Sequence, residues 1–105
     1  MVIKDKYDFE NLNNEAENLI LEELDRQLED YSKPLCMCND CVVDIAAMAL
    51  NSVKPLYRAS LLGRLYTASA MDQKNYASSV RDAVSKAIEK IRKNPSHDLE
   101  EEAVQ

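Results

Sequence analysis

The sequence predicts an all-α fold, mainly helical with room for one short extended segment. Two long stretches repeat their apolar residues at helical spacing, a third is apolar on nearly every side, and the breakers are few. There is one Gly and three Pro in 105 residues, so turns are sparse and concentrated. This length suits one domain with a modest core. With no Trp and a single Phe, that core must be aliphatic.

Asn14 followed by Glu17 has the spacing of a capping box, and Ala16, Leu19, Ile20, Leu24, Leu28 and Tyr31 then recur as one stripe. A helix over 15–31 follows, with Glu22, Glu23, Asp25, Glu29 and Asp30 on its wet side. Pro34 lies in the break after it. Cys41 to Leu50, preceded by the N-cap candidates Asn39 and Asp40, is apolar all round except at Asp44. Such a helix needs cover on every face, more than a chain this short supplies, so a homodimer is expected. Pro55 biases Lys54 toward extended backbone, and Leu56 to Ser60 reads as a short strand or link.

The only glycine, Gly63, marks a loop or a close backbone approach. From Asp72 a long helix carries Tyr76, Val80, Ala83, Val84, Ala87, Ile88 and Ile91 on one stripe until Asn94-Pro95 stops it. Lys74, Arg81, Lys86, Lys90, Arg92 and Lys93 take its other faces. Residues 1–13 are expected to be flexible, 14–97 to form the domain, and 98–105 to be an acidic disordered tail. No apolar h-region stands at the start and no apolar run nears the roughly 20 residues of a membrane span, so a cytoplasmic protein without a membrane partner is expected.

The formal charge of −6 argues against general nucleic-acid binding. It hides an asymmetry. Residues 1–51 sum to −8, residues 52–93 to +6 and residues 94–105 to −4. An anion would bind the middle segment, unless its cations only form a solvated face.

Three cysteines crowd into Cys36-Met37-Cys38-Asn39-Asp40-Cys41. An odd number so closely spaced does not suit a disulfide framework. The run begins in a turn and ends at a helix N-terminus, both settings that lower thiol pKa. Zinc takes four tetrahedral ligands of thiolate or imidazole type, and His97, the one histidine, follows the helix stop where the chain can turn back. The site would be Cys36, Cys38, Cys41 and His97. The competing reading has the cysteines as small buried hydrophobes and His97 as a surface residue.

Cys36-x-Cys38-x-x-Cys41, then Asp44, Ala49-Leu50-Asn51, Pro55, Tyr57, Gly63 and Asn94-Pro95 before His97 together resemble the late competence protein ComFB family over about residues 14–97. The resemblance implies a small, mainly helical, cytoplasmic homodimer with a structural zinc site. It further implies a receptor for cyclic di-GMP, and in some members cyclic di-AMP, acting on competence, motility or related behaviour through a downstream protein. Cys36, Cys38 and Cys41 carry over as metal ligands, with His97 at a fourth position that varies in the family. Arg58 departs from the pattern, since an aliphatic residue is expected after the motif tyrosine.

A cyclic dinucleotide presents two phosphates and two purines, so its receptor needs forked cations and flat rings. With the family and the +6 segment as its basis, the expected ligand site is Tyr57, Arg58, Arg64, Tyr66, Lys74 and Arg81. Gly63, flanked by Arg58 and Arg64, would let backbone approach the ligand, and Lys74 and Arg81 lie about two helical turns apart on one face. In the opposite reading the tyrosines are core and the arginines pair with the acidic first helix. No Gly-rich phosphate loop or metal-binding carboxylate set is visible, so no enzyme is expected. The alternative function is a zinc-stabilised protein-protein adaptor without a nucleotide.

Overall fold

The structure, a computed structural model, describes residues 2–60 and 73–97. Among them the element order is α1 (Ile3–Lys6), β1 (Asn13–Asn14), α2 (Ala16–Glu29), α3 (Asn39–Leu50), β2 (Tyr57–Arg58) and α4 (Gln73–Lys93). Helix α1 is one turn with no buried residue. Gly63, Arg64 and Tyr66, and the tail 98–105, lie outside the described residues.

The three longer helices pack mutually, with α4 against both α2 and α3. Ala16, Ile20 and Leu24 of α2 are buried, whereas Leu19, expected in the same stripe, is 37% exposed at its rim. The stripe of α4 is buried throughout, from Tyr76 to Ile91. Its residues recur every three or four positions and so stay on one side of the helix for about four turns. The fully enclosed side chains Ile20, Ile45, Val84 and Ile88 come from all three helices. Burying each stabilises by roughly 1.5–3 kcal/mol, so the helices depend on one another.

Helix α3 is covered on one side only. Cys41, Ile45 and Ala49 are buried, but Val43 is 54% exposed and Ala47 is also exposed. The continuous apolar run therefore exceeds what the described residues of one chain cover.

Two expected caps take a different form. The side chain of Glu17 does not complete a box. Instead Asn14 Oδ1 accepts from the N–H of Ala16 at 3.1 Å and from that of Leu56 at 2.8 Å. Asn14 is already paired in a strand, which leaves its short side chain aimed at the first helical turn in an Asx turn. The N-cap of α3 is neither Asn39 nor Asp40 but Cys38, whose Sγ accepts from Cys41 N–H at 3.4 Å. Helix α3 thus begins two residues before Cys41.

The extended segment is a strand with a partner. β1 and β2 run antiparallel, Asn13 opposite Arg58 and Asn14 opposite Tyr57. Glu15 N–H donates to the Leu56 carbonyl at 2.9 Å, and Arg58 pairs with Glu15 at 2.6 Å. Tyr76 donates its hydroxyl to the Lys54 carbonyl at 2.6 Å, tying the start of α4 to the same corner.

Candidate metal centre and basic surface

At the other end of α3 the chain gathers its three thiols and its histidine. Cys36 comes from the link after α2, Cys38 caps α3, Cys41 lies in the first turn, and His97 arrives from beyond α4. Pro95 follows Asn94, whose N–H still donates to the Lys90 carbonyl. Proline cannot continue the helical hydrogen bonding, so the chain turns there. Ser96 is buried and His97 half-buried.

The ligand atoms of Cys36, Cys38, Cys41 and His97 all lie within 4.8 Å of one another. Cys36 Sγ and His97 Nε2 are 3.2 Å apart. A tetrahedral zinc with bonds of about 2.3 Å to sulfur and about 2.0–2.1 Å to nitrogen sets neighbouring donors roughly 3.5–3.8 Å apart. The cluster matches that scale, and its donor set is one that zinc favours. The four residues could hold a metal ion, as their spacing predicts.

The local electrostatics divide the thiols. The Cys41 N–H, together with Cys36, pulls the Cys38 thiol below the usual thiol range. Burial pushes the Cys41 thiol up, opposed by the nearby backbone N–H groups of Ser96 and His97. A cation would shift all three toward thiolate, because binding displaces their protons.

The expected ligand residues are spread over two surfaces. Tyr57 is 59% exposed on β2, and Lys74 is exposed in the first turn of α4. The Tyr76–Lys54 hydrogen bond brings these two regions toward each other. Arg58 turns its guanidinium onto Glu15, at the head of the acidic helix, and leaves its Nε buried without a hydrogen-bond partner among the described residues. Arg81 sits farther along α4, beside α2. Its carbonyl accepts from Gln27 at 3.1 Å and its charge helps hold the Glu23 carboxyl low, an effect led by the hydrogen bond from Arg26.

A second basic surface escaped the sequence reading. An open groove of about 450 Å³ between α3 and α4 has Met48 and Ala87 among its apolar lining and Lys86, Lys90 and Lys93 along its edge. The lysines are four and three residues apart, so they share one flank of α4. That spacing was the available signal.

Fold and site together define a small helical domain with a thiol-rich corner that could hold a metal ion. The sequence matches the family of the late competence development protein ComFB over residues 13–95, and the chain belongs to that family. Among solved structures it is similar to the late competence protein ComFB from Bacillus subtilis, with 28% identity and a TM-score of 0.60. That match covers 81% of this chain and 94% of the Bacillus subtilis one. No curated protein matches the sequence significantly. None of the described helices is long and apolar enough to cross a membrane.

Proposed function

We propose that this protein is a non-enzymatic, cytoplasmic, homodimeric receptor for a cyclic dinucleotide, cyclic di-GMP or cyclic di-AMP, with a structural zinc in its Cys36, Cys38, Cys41 and His97 corner. The observation that carries the reading is the segregation of charge within a chain of the ComFB family: the acids lie mainly in the first half, while residues 52–93 hold +6. Exposed Lys74 and Arg81 project from α4, and Tyr57 offers an open ring near its start. Cations and a flat ring are what phosphates and purines require. Four protein donors would close the coordination of zinc and leave no position for a substrate, which suits a structural rather than a catalytic ion. The exposed apolar face of α3 at Val43 and Ala47 supports assembly with a second copy.

Calorimetric titration with cyclic di-GMP, cyclic di-AMP and their linear counterparts tests the receptor. Saturable binding of a cyclic member is expected, weakened about 10-fold or more when Arg81 becomes Ala, since a charge-assisted contact contributes roughly 1.5–3 kcal/mol. Absence of heat with every member would sink this reading. It would favour the adaptor function, which the same exposed α3 face also supports. Light scattering should give a mass near twice 11.9 kDa, and a concentration-independent monomer mass would refute the dimer.

A further inference from the structure

Asp44 and Ser96 are not metal-ligand candidates, yet they join the two chain segments that meet at the candidate centre. Ser96 donates its hydroxyl to Asp44 Oδ2 across 52 residues of sequence. Ser96 is the one buried polar residue among the described residues, at 8% exposure, and Asp44 stands on α3 three residues after Cys41. A helix places such neighbours on one side, so Cys41 and Asp44 address the same incoming strand of chain. Asp44 takes the Ser96 hydroxyl beside the cluster to which Cys41 and His97 belong. The residue before His97 is thereby held by a hydrogen bond that needs no ion.

We propose that Asp44 and Ser96 are positioning residues for the fourth ligand, holding the 96–97 segment so that His97 Nε2 faces Cys36. This rests on the metal reading of the Cys3His cluster. Nothing in residues 36–41 holds His97 covalently; it belongs to a segment beyond Pro95 whose ordering costs conformational entropy. If the ion alone ordered that segment, the cost would be subtracted from its affinity. The Asp44–Ser96 hydrogen bond meets part of it in the folded protein and leaves coordination to the donors. Partners of this kind commonly change metal affinity by 10–100-fold when removed.

The experiment compares the full-length parent with Ser96→Ala, Asp44→Ala and His97→Ala. Zinc affinity is read by competition with a chromophoric chelator, and ligand identity by the visible bands of bound cobalt(II). Ser96→Ala and Asp44→Ala are expected to weaken zinc about 10-fold or more and to move the cobalt bands toward those of His97→Ala. Ser96→Thr and Asp44→Asn keep the donor and the acceptor and should stay near the parent. Asp44 is exposed, so its variants test the proposal even if Ser96→Ala fails to fold. A parent spectrum and affinity in both alanine variants would overturn the positioning role while leaving the metal site standing. A folded parent that binds neither zinc nor cobalt would overturn the metal reading, and the proposal with it.

Discussion

Two corners of the molecule, at opposite ends of α3, join segments far apart in sequence by different chemistry. At the β corner, Asn14 reaches Leu56, 42 residues on, and the hydrogen bonds there are made by the chain alone. At the cysteine corner, Cys36 meets His97, 61 residues on, and three thiols crowd together without a disulfide. The first corner is closed by hydrogen bonds within the chain. The second gathers donors whose full attraction needs a cation. One end of the domain is thus tied by the chain's own hydrogen bonds, and the other also gathers four side chains that could hold a metal ion.

Removing metal should separate the two corners most strongly. Structural zinc contributes on the order of 10 kcal/mol in zinc-finger peptides, and 1 kcal/mol corresponds to roughly 4–8 °C in a domain of this size. Stripping it with a strong chelator is expected to lower the thermal midpoint by more than about 10 °C. Hydrogen exchange should quicken at residues 36–41 and 96–97 before it does at Asn14, Glu15 and Leu56. Uniform acceleration at both corners would show that they are not independent.

Ile45→Ala is expected to cost about 2–5 kcal/mol, the range for truncating a well-packed aliphatic side chain. Ile45 is fully enclosed in the core between the corners, so protection should fall at both together. Asn14→Ala removes one oxygen that serves two backbone donors. A loss of about 1–2 kcal/mol is expected in urea unfolding. Zinc affinity should not change, and a parallel loss of metal would show the corners to be coupled.

The smallest effect falls on the seam between the end of α2 and α4. Tyr31 donates its hydroxyl to Glu89, which also pairs with Arg92 and Lys33. Arg92, followed by Tyr31, holds the Glu89 carboxyl below its ordinary 4.5. Its stabilisation is therefore present above pH 4.5 and is lost as pH falls through the lower folded value. Burial, followed by Glu89, pushes the Tyr31 phenol above its ordinary 10.0. That contribution is present below pH 10 and is lost as pH rises through the higher folded value. Stability measured against pH should lose the alkaline component in Tyr31→Phe and the acidic component in Glu89→Gln, with the β corner unaffected by either.

Much of this protein was determined by sequence alone. The α4 stripe is buried as its spacing requires, because a period near 3.6 leaves one face for the core whatever packs there. The gathering of Cys36, Cys38, Cys41 and His97 into a cluster that could hold a metal was likewise legible, from thiols so crowded and a lone imidazole after a helix stop. Tertiary structure decided what depends on pairs remote in sequence. It turned Asn14 toward Leu56 instead of into a capping box. It also set Arg58 against Glu15 and Ser96 against Asp44. None of these follows from periodicity, because a short polar side chain takes whichever donor or acceptor the fold brings within reach, and that choice is made only once the helices have packed.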